Sequence, residues 1–319
     1  MTVEKPINPP VPVQAIRADI ERVKNHLLFA SGDYEVYLLR SADAPSLMQE
    51  LYRLREITFR AVGEGTGLPQ DTDIYDAYYR QMILWNVPNG EIAGAYRLGF
   101  GPDIMKEYGI EGFYTASLFK YQPQAADLLG QSIELGRSFV ALKYQREIFP
   151  LKMLLAGLAV SSLSCPSARY YMGPVSMSAA MPHYYQTLAV HYILRDFALP
   201  GAATIVGCTH PFVPDPACQN PDELLSDVPV ADIDAFDRKL AQLSGNEHRL
   251  PVLFRKYFSC GARVACFNVD PLFSNSLDGL IFLAHSTYPK NTLRSLMRGP
   301  DEETRNQVWL HFYGEPFNE

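Results

Sequence analysis

Long apolar runs and paired cysteines are scarce in this sequence, and each shortage excludes a class of protein. The longest apolar run, Phe149 to Val160, contains Lys152 and is shorter than the roughly 18 residues that span a bilayer. Residues 1–12 hold four prolines and no apolar core of the signal-peptide kind. The five cysteines form no CxxC pair. We therefore expect a cytoplasmic protein in a reducing compartment, without a disulfide framework.

Positively charged residues are fewer than negatively charged ones. The chain has 28 Lys and Arg and 35 Asp and Glu, which gives a net charge of −7. A diffusely acidic chain is unsuited to neutralising the phosphates of a nucleic acid. Several catalytic signatures are missing too: G-x-S-x-G, H-E-x-x-H and the Walker sequence. Cys208, His210 and Cys218 lack the spacing of a zinc site, so we expect no metal.

What the sequence does contain is a globular composition, with 47% hydrophobic and 20% charged residues in 319. Hydrophobic spacing predicts alternating elements. The predicted helices are 13–29, 46–61, 149–163, 180–195, 232–244 and 250–260. The predicted strands are 34–39, 81–86, 91–100, 131–140, 169–176, 262–268 and 277–284. Asn89-Gly90 predicts a hairpin turn. This order favours an α/β (α+β) fold with a mixed, mostly antiparallel central sheet flanked by helices, and a C-terminal extension.

Composition divides the chain into four parts. Residues 1–30 are predicted to be a flexible tail followed by a helix, and residues 31–198 the core. Residues 199–231 are rich in proline and aspartate, as in a loop or a lid. Residues 232–319 complete the unit.

The segment from Ile133 to Val140 carries an acid and a base three residues apart, Glu134 and Arg137. A strict strand would point them to opposite faces. Gly136 between them is typical of a bulge, which re-aims a side chain, so both could face one pocket. An ordinary edge-strand ion pair is the alternative.

Other residues precede this segment in a distinctive order: Arg55-x-x-x-Phe59, Asp73-x-x-Asp76, Tyr96-Arg97 and Gly112-Phe113-Tyr114. Over residues 50–195 this order resembles the GNAT branch of ornithine-lipid N-acyltransferases and hemolysin-like bacterial acyltransferases, which is related to acyl-homoserine-lactone synthases. Further on, residues 250–262 resemble the LPPLLKGYLRLGA segment of the lipid N-acyltransferases. Asp270-x-x-Phe273 with Asp278 resembles their D-x-x-F…D ending.

The resemblance implies a GNAT-like fold and transfer of a long acyl or 3-hydroxyacyl chain from a thioester to the amine of a small amino acid, ornithine or glycine. Glu134 would accept the amine proton, and N–H groups near Gly136 would stabilise the oxyanion. Arg97 and Arg137 would bind a carboxylate or support Glu134. The further substrate-binding residues would be Arg55, Phe59, Asp73, Asp76, Phe113 and Ser138. The acid that protonates the thiolate stays open among Tyr144, Ser176 and Ser178.

The donor and the partners follow from the same resemblance. Residues 141–147 lack the glycines of a coenzyme A loop, which favours acyl-carrier protein as the donor, with acyl-CoA still open and no bound cofactor. Lys143, Arg146 and Lys152 could meet an acidic carrier. A lipoamino acid product suggests peripheral contact with the inner membrane. Two other functions stay open: an acyl-homoserine-lactone-like synthase using S-adenosylmethionine, and a non-catalytic GNAT-like module that binds acyl chains or carrier protein.

Overall fold

An eight-stranded mixed sheet forms the centre of the protein, and a two-stranded sheet lies beside it. The computed structural model describes residues 4–271 and 273–317. The strands are β1 (Leu27–Ser31), β2 (Tyr34–Arg40), β3 (Arg80–Asn86), β4 (Glu91–Phe100), β5 (Phe119–Tyr121), β6 (Ser132–Val140), β7 (Tyr170–Met177), β8 (Val206–Cys208), β9 (Arg263–Asp270) and β10 (Ser276–Ala284).

Helices cover the sheet and connect its strands. They are α1 (Val13–Arg22), α2 (Pro45–Arg60), α3 (Gly101–Glu107), α4 (Ala126–Gly130), α5 (Ile148–Ser161), α6 (His183–Phe197), α7 (Pro221–Leu224), α8 (Ile233–Leu243), α9 (Val252–Ser259), α10 (Lys290–Leu296) and α11 (Glu302–Tyr313). In the part of the chain that the structure describes, no helix is long and apolar enough to cross a membrane.

The large sheet has the strand order β1-β2-β3-β4-β6-β7-β10-β9. Its neighbours are antiparallel except for β6 and β7, which run parallel. Strands β9 and β10 continue the same sheet through the pairing of β10 with β7. The predicted mixed, mostly antiparallel sheet with flanking helices is confirmed, and the architecture is GNAT-like.

Helix α5 packs against β2, β3 and β4 because most of its surface is apolar. A Cβ at Gly157 would lie 2.8 Å from the Met82 sulfur and 2.9 Å from a Val36 methyl carbon, so glycine permits this close approach.

The start of helix α2 is capped by a residue of α1. Asp19 of α1 accepts the Ser46 N–H at 2.7 Å and the Leu47 N–H at 3.0 Å. This satisfies two free donors at the start of α2.

Most predicted elements are confirmed to within a few residues, including the hairpin between β3 and β4. The helix predicted over 13–29 is wrong at its end, because it stops at Arg22 and Leu27–Ser31 forms strand β1. Pairing with β2 across a turn at Gly32 stabilises that strand.

The tail predicted for the first dozen residues is instead held in place over its described part. The Lys5 N–H donates to the Gly67 carbonyl at 2.9 Å, and the Val11 N–H to Glu50 at 3.0 Å. Residues 199–231 are mainly irregular but include β8 and α7. The four-part division of the chain stays a prediction.

Candidate active site

Strands β6 and β7 separate and open a cavity in the middle of the sheet. Their parallel pairing covers only three positions, ending at Glu134 opposite Met172. Beyond that point both strands continue along a cavity of about 830 Å³. Backbone groups that would pair two adjacent strands face this cavity instead. The site is therefore a wedge with a strand on each side.

Gly173 permits the last close contact before the strands separate. Its φ is 154°, and a Cβ there would lie 2.3 Å from the Leu135 carbonyl oxygen. No side chain fits at that distance, so glycine fixes where β7 leaves β6.

The bulge predicted in β6 is present. Arg97 of β4 pairs with Gly136, whereas Ala95 pairs with Phe139, so two residues of β6 oppose one residue of β4. The left-handed residue is Arg137, with φ 48°, and not Gly136. The bulge directs the Arg137 side chain toward Asp71 and Asp73.

A charge network lies beside the cavity. It consists of three arginines and three aspartates: Arg55, Arg97, Arg137, Asp71, Asp73 and Asp76. Arg55 contacts Asp71 at 3.2 Å and Asp76 at 2.9 Å. Arg137 contacts Asp71 at 2.9 Å. Because the formal charges balance, this network can be buried without a net charge.

Arg97 is fully buried in this network. One nitrogen contacts Asp73 at 2.5 Å, while its other two lack hydrogen-bond acceptors among the described residues. Its guanidinium lies over the rings of Tyr75, Tyr79 and Tyr114 at 5.4–5.6 Å. Aromatic faces therefore compensate for the missing acceptors.

The arginines of this network lower the pKa values of two of its aspartates, Asp76 and Asp71. Burial by itself raises the pKa of Asp76, but Arg55 and Arg97 more than offset this and lower it to about 2. The pKa of Asp71 is likewise lowered, by Arg55, Arg137 and Arg97 against the effect of burial. Both aspartates are thus ionised partners and not proton acceptors near neutral pH.

Glu134 lies behind the cavity wall and is only 1% exposed. Its carboxylate accepts hydrogen bonds from the Tyr79 hydroxyl and from the N–H groups of Tyr114 at 3.0 Å and Thr115 at 2.7 Å. Burial raises the pKa of Glu134, although these donors oppose the rise. The catalytic role predicted for Glu134 stays a prediction, and its geometry favours holding Tyr114 in place.

The sequence-predicted residues divide into two groups. Four line the cavity: Phe59, Gly136, Arg137 and Ser138. The other six do not form part of its wall: Arg55, Asp73, Asp76, Arg97, Phe113 and Glu134. Phe113 is fully buried in a small apolar cluster. Of the residues considered as proton donors, Ser176 and Ser178 line the cavity, whereas Tyr144 donates to Glu91 at 2.8 Å.

Four carboxyl groups line the cavity that were not among the predicted site residues: Glu64, Glu147, Asp270 and Asp278. Burial raises the pKa of Asp278 to about 7, Asp270 and Glu64 add to the rise, and hydrogen bonds from Ser176 and Ser276 oppose it. Burial alone raises the pKa of Glu64 to about 7. Interacting carboxyls of this kind hold a proton near neutral pH and can exchange it with a substrate. Asp270 and Asp278 belong to the D-x-x-F…D segment, which was the signal available in the sequence.

Tyr114 connects these carboxyls to the arginine network. Its ring lines the cavity and lies 5.1 Å from the Arg137 guanidinium carbon. Burial raises the pKa of Tyr114, Arg137 lowers it, and Asp278 and Asp270 raise it further. The hydroxyl is therefore protonated at neutral pH and available as a donor.

The rest of the wall is largely apolar. It includes aliphatic and aromatic side chains from β6, α5, α9 and β10: Leu135, Phe139, Leu151, Leu154, Val252, Leu253, Tyr257 and Ile281. A cavity with a few polar groups in an apolar wall suits an amphipathic ligand.

Comparison with known proteins agrees with this arrangement. Residues 54–155 match the acetyltransferase (GNAT) domain family. A glycine N(alpha)-acyltransferase of Bacteroides thetaiotaomicron is 33% identical over 199 residues, covering 59% of each chain. One of Phocaeicola vulgatus is 31% identical over 199 residues, covering 59% of this chain and 61% of that protein.

The alignments thus span about three fifths of the relatives' own length. No solved structure matches the chain. A relationship to ornithine-lipid N-acyltransferases or acyl-homoserine-lactone synthases stays a prediction.

Proposed function

We propose that this protein is an N-acyltransferase that moves a long acyl or 3-hydroxyacyl chain from a thioester to the amine of glycine. The observation that carries the proposal is the wedge between β6 and β7, which joins backbone donors, proton-holding carboxyls and an apolar wall in one cavity. The GNAT match and the glycine N(alpha)-acyltransferase relatives support it.

The first step is deprotonation of the acceptor. Free glycine carries an ammonium group that cannot attack a carbonyl carbon. Asp278, with Glu64 beside it, takes one proton from that ammonium. A base with a pKa near 7 suits this task, since about half of it is ionised at neutral pH and the ionised form is still basic enough to accept a proton. Arg137, the wall's cation near these carboxyls, faces the glycine carboxylate.

The amine nitrogen then bonds to the thioester carbon. The carbonyl oxygen becomes negative in the tetrahedral intermediate, and N–H groups around the Arg137 bulge stabilise it. The carbon–sulfur bond breaks, and the thiolate takes a proton from the Tyr114 hydroxyl. The attacking nitrogen loses its second proton to the Tyr114 phenolate as the amide forms, and Asp278 releases the first proton to solvent. Overall, one substrate proton ends on the thiol and one reaches solvent, so Tyr114 is restored.

The donor is a phosphopantetheine thioester, carried by acyl-carrier protein or by coenzyme A. The apolar wall accommodates its acyl chain. The arm is the same in both donors, so the transfer step is the same for either.

Lipid profiling in a heterologous bacterium tests this proposal. Expression should produce a new N-acylglycine detectable by mass spectrometry, and Asp278→Asn should abolish it at equal protein level. Asp227→Asn, an exposed aspartate paired with Lys239, is the matched control and should leave the product unchanged. Soluble wild-type protein without any new acyl amine would contradict the proposal. An S-adenosylmethionine-dependent acyl lactone would indicate the synthase instead.

A further inference from the structure

Exposed apolar residues surround part of the cavity opening. Ile148 and Val252 both line the cavity and are 88% and 48% exposed. Phe149, next in the chain, is 41% exposed. Residues that are exposed and also line a cavity lie at its rim. A single exposed apolar residue needs no explanation, but a group at the rim of an apolar cavity indicates an interaction surface.

Two cations lie among these side chains. Arg146 and Lys256 line the same cavity and are exposed, and among the described residues neither has a carboxylate within 4 Å. Glu147, between Arg146 and Ile148, also lines the cavity and is exposed, and its carboxylate accepts the Tyr34 hydroxyl at 3.3 Å. Lys143, by contrast, is paired with Glu91 at 2.7 Å. We call Arg146, Ile148, Phe149, Val252 and Lys256 the rim surface.

We propose that the rim surface docks on an anionic lipid bilayer, so that the cavity opens directly into the membrane. Ile148, Phe149 and Val252 would enter the boundary between headgroups and acyl chains, and Arg146 and Lys256 would contact the headgroups. The surface is continuous with the apolar cavity wall, so an amphiphile moving between protein and bilayer stays in an apolar environment.

The charge distribution favours this orientation. The chain carries a net charge of −7, so an anionic surface repels most of the molecule and attracts the cationic rim surface. Two cations and three apolar side chains also fit a lipid interface better than a docking site for an acidic protein, which depends mainly on charge.

The long acyl chain of the product is the reason that a membrane-docking surface would be needed, and on this point the inference rests on the proposed function. Each methylene of an acyl chain lowers the equilibrium constant for moving the chain from an apolar environment into water about fourfold. A long-chain product released into solution would therefore leave very slowly. A docked rim surface avoids that exposure.

Vesicle binding tests the proposal without any substrate, so its outcome is independent of the acyl-transfer assay. Vesicles of three parts phosphatidylcholine to one part phosphatidylglycerol should bind the intact chain, and pure phosphatidylcholine vesicles should bind it more weakly. Ile148→Glu should reduce binding about tenfold or more. The matched control is Val230→Glu, because Val230 is 80% exposed and lies outside the rim surface. It should bind as the wild type does.

Three results would overturn the docking proposal. One is no binding of the wild type to either vesicle. Another is equal binding by Ile148→Glu and Val230→Glu, with both folded by circular dichroism. The third is binding of purified acyl-carrier protein that Ile148→Glu abolishes while vesicle binding is unchanged, which would make the rim surface a protein-docking site.

Discussion

The guanidinium carbon of Arg137 lies 5.1 Å from the centre of the Tyr114 ring. The two residues come from separate parts of the chain: Arg137 lies in β6, and Tyr114 precedes β5. Arg137 is held in a left-handed bulge by Asp71 and Asp73, and the Tyr114 backbone is held by Glu134. Buried charge thus places one cation and one hydroxyl at the wall of the cavity that the carboxyls also line.

The first prediction concerns Glu134 as a positioning residue. Glu134→Gln keeps the shape but leaves the Tyr114 and Thr115 N–H groups with weaker acceptors. We expect kcat for N-acylglycine formation to fall about tenfold, with the midpoint of its pH profile unchanged. A base would behave differently: complete loss of turnover in a folded variant would restore the catalytic role predicted from the sequence.

Asp278 should make the protein less stable as the pH rises. Its folded pKa is about 7, above the unfolded value near 4. The native state therefore binds more protons than the unfolded state between these values, and stability falls across that window. Asp278→Asn removes the penalty, so we expect the variant to gain up to about 4 kcal/mol over the wild type at pH 8.

Urea unfolding at pH 4 and pH 8 measures this effect. The difference between Asp278→Asn and the wild type should appear at pH 8 and nearly vanish at pH 4. An equal difference at both values would mean that the Asp278 carboxyl has an ordinary pKa.

Asp76 should have the opposite pH dependence. Its folded pKa is about 2, below the unfolded value, so its contribution is present above about pH 4 and is lost as the pH falls through 2. Asp76→Asn removes one of the three negative charges that balance the buried arginines, so Arg55 keeps only Asp71 and Arg97 keeps only Asp73. We expect this to cost about 3–5 kcal/mol at pH 7. Thermal unfolding at pH 7 and at pH 2.5 checks this, and the wild type should lose most of its advantage at the lower pH. The exposed Asp227→Asn variant should differ little from the wild type at either pH. An Asp76→Asn variant as stable as the wild type at pH 7 would argue against the buried network.

Much of the fold was predictable because local spacing determines its elements. The apolar period of α2 and the Asn89-Gly90 turn indicate their structures directly. The helix predicted over 13–29 was wrong at its end because a short strand there is stabilised by its partner β2, which spacing along the chain does not show. Helices α10 and α11 lie in a polar tail and contain little apolar period.

The candidate site was predictable only in part, for a related reason. A bulge in β6 was expected from Gly136, and Arg137 was expected in the pocket. Burial in the folded chain determined which of the other predicted residues reach the cavity. Glu134 and Arg97 have the side chains of catalytic groups, but the fold places them behind the wall. Asp278 acquires its raised pKa mainly from burial, with Asp270 and the sequence-distant Glu64 adding to it, and no local pattern in the sequence indicates that.

Gly173 should control where the strands separate. A Cβ there meets the Leu135 carbonyl oxygen at 2.3 Å, a contact that the backbone must move to relieve. Gly173→Ala should cost about 1–3 kcal/mol of stability and lower activity further by displacing β7. Gly207→Ala is the control, because its Cβ meets nothing within 4 Å. Urea unfolding compares the two, and equal stability would show that Gly173 is not needed for the wedge.

The most direct measurement is kcat/KM for glycine acylation by the purified protein across pH 5.5–8.5, with an acyl thioester as donor. We expect the rate for the wild type to rise through about pH 7 as Asp278 and Glu64 ionise, and Asp278→Asn to lose at least about a hundredfold in kcat/KM. Asp278→Asn at the wild-type rate, with an unchanged pH profile, would contradict the account.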